Sequence, residues 1–405
     1  MKPANRKASL LAVNGGSSSI RFALYEACAP MRRILDGKVD RIGLAGTRLH
    51  FCRRPEGKEG SRRVAAADHR TAVGVLLDWL EVQPEFASVR AVGHRVVHGM
   101  EHSEPERVTR KLLEELTRIT PFDPDHMPRE LELIHAIQGR HPALPQIACF
   151  DTAFHRTMPR VARMLPIPRR FESTGVVRYG FHGLSYAFLM EELGRIGGPA
   201  AVRGRVILAH LGNGASMAAV KRGRSIDTSM GFTPAAGLVM STRSGDLDPG
   251  IVGFLARRER MTAPEFQRMV NRDSGLLGIS ETSSDMRDLL ERESGDIRAA
   301  EAVDLFCYQA KKWIGAYAGA LGGLDTLVFS GGIGENSPAV RARICAGLGF
   351  LGIELDGRRN AANSPLISRT AGPVAVRVIR TDEELMIARS VVRALGPGRR
   401  RKVNP

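Results

Sequence analysis

The chain has 405 residues, 43% hydrophobic and 5% aromatic, with a formal net charge of +16, which suits two domains with cores of their own and excludes a small disulfide-stapled or collagen-like chain. Its five cysteines (Cys28, Cys52, Cys149, Cys307, Cys345) are scattered without a C-x-x-C pair, so a reducing compartment is expected rather than a disulfide framework or a cysteine zinc site. No stretch nears the roughly 20 apolar residues of a spanning helix and Leu10–Val13 is too brief for a signal-peptide core, so a cytoplasmic protein without a membrane partner is expected.

The first predicted elements form a hairpin. Leu10–Val13 leads into Asn14-Gly15-Gly16-Ser17-Ser18-Ser19 and then Ile20–Leu24, which reads as strand, tight turn, strand, with Asn-Gly as the turn signal. Val92-Gly93-His94-Arg95-Val96-Val97-His98-Gly99 reads as a strand that turns His94, Val96 and His98 one way and Arg95 and Val97 the other. That second face pairs a guanidinium with an apolar wall, as a short-chain carboxylate would require. Histidines at 94, 98 and 102 invite a zinc reading, but the H-E-x-x-H glutamate is missing and the pattern favours a strand. Ile147–Phe150 reads as a buried strand that delivers Asp151 to its carboxyl end, where Asp151 is either a ligand-side residue or the cap of a following turn.

Val206–Leu211, Gly212-Asn213-Gly214-Ala215-Ser216 and Met217–Val220 repeat the plan of the first hairpin 199 residues later, Asn213 against Asn14. Half of the chain echoes the other half. Arg243 then sits in Ser241–Gly250, a polar segment of turn residues that reads as a loop. Val303, Phe306, Cys307, Ala310, Ile314, Tyr317 and Leu321 recur at helical spacing up to Gly322-Gly323, which predicts a core helix with a glycine end. Thr326–Phe329 is a buried-strand run, and Ser330-Gly331-Gly332-Ile333-Gly334-Glu335-Asn336-Ser337-Pro338 after it opens a helix. Backbone amides at such a turn can approach a nucleotide, although the Gly-Lys-Ser/Thr ending of a P-loop is missing. A last helix carries Leu385, Ala388, Val392 and Leu395 on its inner face and ends at Gly396-Pro397. Thr381 and Glu384 fit a capping box, leaving Glu383 as a hard oxygen ligand for Mg²⁺.

The charge surplus could draw nucleic acid, a membrane surface or small anions. Basic pairs such as Arg53/Arg54 and Lys311/Lys312 are spread out without interleaved aromatic residues to stack bases, so small anionic substrates are favoured over nucleic acid. The run Arg399–Lys402 reads as a solvated tail.

Taken in order, AVNGGSSSIRFAL, GHRVVHG, FDTAFHRTMP, YGFHGLS, HLGNGAS, DTSMGFTP, TRSGDLDPGIVG, SSDMR, GGIGENSP and TDEELMIAR resemble the acetate kinases, the acetate/propionate kinase family within the actin-like ATPase and sugar kinase superfamily. The resemblance implies an α/β fold of two duplicated actin-like (ribonuclease H-like) domains flanking an active-site cleft: 1–150 with a returning 385–405, and 151–384 with the nucleotide site and the dimer interface of a homodimer. It implies a phosphotransferase that moves the γ-phosphoryl group of ATP to acetate, reversibly and with Mg²⁺ (Mn²⁺ as the alternative), giving acetyl phosphate and ADP. By motif, Arg95, Asp151, His182 and Arg243 would be catalytic. Arg95, Val97, Phe122, Phe181 and Pro234 would bind the acid. Asn14 and Glu383 would hold the metal. Arg21, His210, Leu211, Gly212, Asn213, Gly214, Asp285, Met286, Arg287, Gly332, Ile333, Gly334, Glu335 and Asn336 would hold the nucleotide.

Several positions depart from the family pattern. Arg21 stands for a lysine, and a forked guanidinium is not an ammonium. Pro121-Phe122-Asp123-Pro124-Asp125-His126-Met127-Pro128 stands for Pro-Leu-His-Asn-Pro, its histidine either replaced by Asp123 or displaced to His126. Leu184 and Tyr186 replace threonine and histidine, and Ser241 and Glu281 replace glycines. Phe122 exceeds the usual leucine, which predicts a tight pocket preferring acetate to butyrate, with propionate as a second substrate. Two alternatives remain at this stage: a propionate kinase of the same family, and a nucleotide-driven ATPase switch of the same superfamily.

Overall fold

In the computed structural model, which describes residues 7–16, 19–44, 46–54 and 56–396, the two expected hairpins are the organising elements. Strand β1 (Ser9–Gly15) pairs antiparallel with β2 (Ile20–Glu26), Asn14 opposite Arg21, and the Gly16 N–H donates to the Ser19 carbonyl at 2.7 Å. Ser17, Ser18 and the basic run Arg399–Lys402 lie outside the described residues.

The chain divides into two compact units, Met1–Ala153 with Asp382–Pro405, and Phe154–Thr381. Asp151 and Glu383 therefore belong with Asn14 and Arg95, whereas the expected boundaries at 150 and 384 put them with the other half. In unit 1, β3 (Arg32–Asp40), β4 (Arg48–Arg53) and β5 (Lys58–Arg63) extend the hairpin, and β6 (Val89–Val96), β8 (Gln146–Phe150) and β7 (Glu106–Arg107) continue the sheet on the other side of β1. The order is β5-β4-β3-β2-β1-β6-β8-β7, with β1, β6 and β8 mutually parallel.

Unit 2 repeats this arrangement. Its strands β9 (Arg205–Leu211), β10 (Ala215–Lys221), β11 (Arg224–Thr228), β12 (Thr326–Ser330) and β13 (Ala375–Val378) run in the order β11-β10-β9-β12-β13. Here β9, β12 and β13 are parallel and β10 and β11 antiparallel to their neighbours. The sequence echo is thus one five-stranded motif used twice, β3-β2-β1-β6-β8 and β11-β10-β9-β12-β13.

Alternation explains the layers. In unit 1, Leu11, Val13, Ile20, Phe22, Leu24 and Val92 meet the helix His69–Glu81 through Ala72, Val73, Leu76, Leu77 and Leu80, and meet the helix Met127–Arg140 through Leu133 and Ile137. The helix Ile297–Leu321 buries the predicted stripe from Val303 to Leu321 and stops at Gly322 in the left-handed region (φ 73°), where the missing Cβ removes the steric cost.

The last helix corrects two expectations. It spans Glu383–Leu395 and buries Met386, Ile387, Ala388, Ser390 and Val391, while Val392 and Leu395 are 44% and 42% exposed. Its apolar stripe is rotated from the expected one toward β1 and β6, which this helix covers. The capping box is also displaced. Asp382, not Thr381, accepts from the Leu385 N–H at 2.9 Å, while the Thr381 hydroxyl pairs with Ser185 Oγ at 2.8 Å. Asp382 also binds Arg33 (2.6 Å) and the Tyr25 hydroxyl (3.2 Å), which fastens the helix N-terminus to β2 and β3.

Candidate functional site

Three neighbouring parallel strands of unit 1 end on polar side chains. Asn14 lies near the end of β1, Arg95 near the end of β6, and Asp151 directly after β8; carboxyl ends of parallel strands are where α/β sheets place ligands. Arg95 Nε donates to Asp151 Oδ2 at 2.9 Å, Nη2 to the same oxygen at 2.5 Å, and Nη1 to Asn14 Oδ1 at 3.3 Å. Asp151 is wholly buried and opens the 3-10 turn Asp151–Thr157. Burial opposes the guanidinium charge, but the Asp151 and Glu383 carboxylates more than offset it, so the pKa lies above its ordinary value.

The Asn14 amide turns the other way. Its Nδ2 donates to Glu383 Oε2 at 2.8 Å and to Glu384 Oε1 at 3.5 Å. Burial first, and the neighbouring Glu383 charge second, raise the pKa of Glu384, so Glu384 belongs to this acidic pair instead of reaching back to cap its helix. Arg21 is exposed on β2 opposite Asn14 and opposite Lys38 of β3, and its charge lowers the pKa of Glu384.

Val97, two residues after Arg95, is buried; its N–H donates to Glu130 Oε2 at 2.9 Å. Phe122, half-buried, lies with its ring 5.8 Å from that of His98. Of the two alternatives for the family histidine, both residues are engaged together: Asp123 accepts from the His126 N–H (3.2 Å) and pairs with His126 Nδ1 (2.9 Å). The three histidines of the zinc reading take separate partners. His94 Nε2 meets Gln146 (2.6 Å), His98 Nδ1 accepts from the Met100 N–H (3.2 Å), and His102 meets Glu106 and Glu115. Burial pushes His94 and His98 down to about 4.

In unit 2, His182 sits in the left-handed region (φ 59°) before the helical segment Gly183–Arg203, which is broken by a kink at Gly198. Its Nδ1 lies 2.9 Å from Ser216 Oγ of β10, and its ring stacks on His210 of β9 at 4.4 Å. The Tyr186 hydroxyl bonds the same Ser216 oxygen, so the tyrosine at this departure supports the serine that holds His182. A Cβ placed on Gly214 would lie 3.3 Å from His182 Nε2 and 3.8 Å from Arg243 Nη1, so the glycine lets the HLGNG backbone, the imidazole and the guanidinium share one spot.

The loop bearing Arg243 is more ordered than its composition suggests. Arg243 Nη1 donates to the Pro234 carbonyl at 3.2 Å. Backbone bonds fasten the loop: Ser241 N to Asn213 O, Met240 N to Arg243 O, Ser244 N to Val270 O, and Leu276 N to Met240 O. Gly275 (φ +64°) makes this possible, since a Cβ there would fall 2.1 Å from Met240 O and 2.7 Å from Arg243 O. Pro234 is buried, and so is Phe181, whose carbonyl lies 3.0 Å from His155 Nε2.

The expected nucleotide residues separate into two groups. The turn after β12 folds as the short helix Gly331–Asn336, and Gly331 packs so closely on β9 that a Cβ would meet Leu211 O at 2.6 Å. Gly212, with Cβ space ending 3.7 Å from the Gly332 nitrogen, lies beside it. Glu335 turns its carboxylate inward, accepting from the N–H groups of Gly331 (2.9 Å) and Thr381 (3.1 Å), and Asn336 Nδ2 donates to Gly332 O. Asp285 and Arg287 instead bond each other, Nη2 to Oδ2 at 2.6 Å, at the start of the helix Met286–Arg292, and the Met286 side chain is buried. Glu281 occupies a left-handed position (φ 56°) where the family pattern has glycine, and its carboxylate pairs with Arg298.

The sequence does not single out Glu130 or Ser216, and it offers Glu384 only as half of a capping box. Glu130 had a signal: it falls on the inner face defined by Met127, Leu131, Ile134 and Ile137, where a charged residue needs a reason. Ser216 lies in an all-buried strand segment and had none.

Among the described residues, no helix is long and apolar enough to cross a membrane. A model of the acetokinase family matches residues 9–389. An acetate kinase of Rhodopseudomonas palustris is 45% identical over 401 residues, 96% of this chain and 99% of that protein. A propionate kinase of Citrobacter rodentium is 42% identical over 392 residues, 95% and 96%. The crystal structure of Porphyromonas gingivalis acetate kinase superposes with a TM-score of 0.85 at 36% identity, covering 96% of this chain and all of that one.

Proposed function

We propose a specific reaction for this chain, which belongs to the acetokinase family and is a carboxylate phosphotransferase: ATP and acetate giving acetyl phosphate and ADP, reversibly. One carboxylate oxygen forms a bond to the γ-phosphorus as the bond from that phosphorus to the β,γ-bridging oxygen breaks, and ADP leaves with those electrons. Carboxyl pKa values near ~4 mean that the acceptor arrives ionised, so no general base is required. What the reaction needs is charge offset between two anions that approach in line.

The carrying observation is Arg95, held at the end of β6 between Asp151 and Asn14, with Val97 two residues on, just past the strand. It supports a role for Arg95 in binding the carboxylate, Asp151 orienting the guanidinium and Val97 and Phe122 walling the methyl group. On unit 2, Arg243 and His182 beside Gly214 support a role in offsetting charge on the moving phosphoryl group. The adjoining glycine turns at Gly212–Gly214 and Gly331–Asn336 support a nucleotide site, and we assign it to ATP.

The donors of unit 1 suit Mg²⁺, or Mn²⁺ in its place. Asn14 Oδ1 and Glu383 are hard oxygens, and Glu384 is a second carboxylate whose pKa is raised by burial first and by Glu383 second. Bound there, the ion would offset charge on phosphate oxygens. No group of three His, Cys, Asp or Glu that could hold a metal occurs among the described residues, and Mg²⁺ commonly takes one or two carboxylates and completes its shell with water and phosphate.

Phe122 supports acetate as the preferred acid; the propionate kinases at 42% identity favour propionate as a second. Exposed Val252 and Phe254 on the helix Gly250–Arg258, which buries none of its residues, support a homodimer. Five free cysteines fit the cytoplasm. The test incubates the protein with ATP, Mg²⁺ and each of acetate, propionate and butyrate, and traps acyl phosphate with hydroxylamine. Acetyl hydroxamate in excess is expected; no product from any acid would overturn the assignment.

A further inference from the structure

Glu130 is not among the residues the family resemblance brings to the reaction, yet it touches the substrate face of unit 1. It lies in the first turn of the helix Met127–Arg140 and is 3% exposed. Its Oε2 accepts from the Val97 N–H at 2.9 Å, and its Oε1 is buried without a hydrogen-bond partner among the described residues. A carboxylate left in this way is costly as an anion and tolerable as a neutral acid.

From this geometry we infer that Glu130 is a positioning residue that fixes the Val97 backbone and, by remaining uncharged, leaves the Arg95 guanidinium free to attract an anionic acid. The inference rests on the reading of Arg95 and Val97 as the carboxylate site. Burial is the main cause that pushes the Glu130 pKa up to about 8; Arg95 and the Val97 N–H pull it down, and Asp123 and Asp151 push it further up. The groups facing it are thus Arg95 from β6, Asp151 from the turn after β8 and Asp123 from the turn before its own helix. His126 pairs with Asp123, and His98, near Asp123, is pushed down to about 4 by burial and is neutral throughout this range.

Ionisation of Glu130 adds a second negative charge near Arg95, beyond Asp151, and opposes an incoming carboxylate. Acetate itself does not titrate between pH 7 and 9. Its affinity for the wild-type protein should therefore weaken roughly three- to tenfold from pH 7 to 9. Turnover at saturating acetate should change little.

The test compares wild type, Glu130→Gln and Glu130→Ala. Acetate Kd is measured by titration calorimetry, and KM and kcat by ADP release, at steps between pH 7 and 9. Glutamine keeps an acceptor for the Val97 N–H and cannot ionise, so its Kd and KM should stay near the wild-type pH 7 values up to pH 9. Alanine removes the acceptor and should raise KM at every pH. A wild-type Kd that does not vary with pH, a glutamine variant that tracks wild type, or a pH effect confined to kcat would each overturn the inference. Failure to form any acyl phosphate, with acetate still bound in the expected pH-dependent way, would instead overturn the assigned reaction.

Discussion

Arg95→Ala separates two duties that one side chain carries. The substitution removes two bonds to Asp151 and one to Asn14, and Asp151 is 0% exposed, so a buried ion pair is broken. Breaking a buried pair in this way costs about 3–5 kcal/mol. For a unit of this size class, roughly 2–4 °C per kcal/mol converts that to a fall of about 6–20 °C in the melting midpoint. Arg95→Ala alone therefore does not leave the fold untouched. Adding Asp151→Asn replaces that carboxylate by a neutral amide, at a cost of about 1–3 kcal/mol for a weaker hydrogen-bond acceptor, so the double variant should recover several degrees.

Turnover should behave differently. An arginine that holds the acceptor carboxylate against the incoming phosphoryl group is worth about 10²- to 10³-fold, and neither the single nor the double variant restores it. Arg95→Lys keeps the charge but not the fork that reaches Asp151 through Nε and Nη2, and should lie between wild type and alanine. Thermal unfolding and hydroxylamine trapping on the four proteins read the two duties independently. A double variant that melts no higher than Arg95→Ala would show that the energy is not in the buried pair. Recovered turnover in the double variant would show that Arg95 served only to neutralise Asp151.

Gly275→Ala should lower kcat at least about tenfold, because its Cβ would fall 2.1 Å from Met240 O and 2.7 Å from Arg243 O and must displace the Arg243 loop; steady-state rates beside a melting curve check this. Glu383→Gln should raise the Mg²⁺ needed for half-maximal rate about tenfold or more while changing the melting midpoint little, since Asp382 and not Glu383 caps the helix; a magnesium titration reads the first and unfolding the second. Phe122→Leu should raise the ratio of kcat/KM for propionate over acetate roughly tenfold, the value of about one methylene in a pocket. Burial pushes His94 and His155 down to about 4 from 6.5. Being neutral in the fold and more readily protonated when unfolded, each contributes stability that is fully present above pH 6.5 and lost as pH falls toward 4, at most about 3 kcal/mol apiece. Melting midpoints should therefore decline between pH 6.5 and 4, and His155→Gln should shallow that slope.

What was legible in the chain follows from how local each signal is. The hairpins at Asn14 and Asn213 and the glycine turn after β12 are set by a few consecutive residues, alternating apolar positions around a turn. Their duplication showed in the sequence because the same short pattern is used twice. The helix Ile297–Leu321 was readable for the same reason, its stripe and its Gly322 stop lying on one continuous segment. The last helix was misread by part of a turn because Leu385, Val392 and Leu395 are as apolar as Ile387 and Val391. Only contact with β1 and β6 decides which set is buried. Asp382 rather than Thr381 is the cap because Arg33 and Tyr25, some 350 residues away in sequence, fix its carboxylate.

The Arg243 loop shows the same limit from the other side. Its residues are ordinary turn formers, yet its order comes from partners at Asn213, Val270 and Leu276, none of them close in sequence. A side chain's chemistry is written at its own position, whereas its placement and charge depend on neighbours brought in by the fold. Glu130 is the sharpest case. Its spacing from Met127, Leu131 and Ile134 says that it is buried, but not that Val97 supplies one hydrogen bond and none of the described residues supplies the other. That asymmetry favours the neutral acid, and it arises only where the helix Met127–Arg140 meets the end of β6.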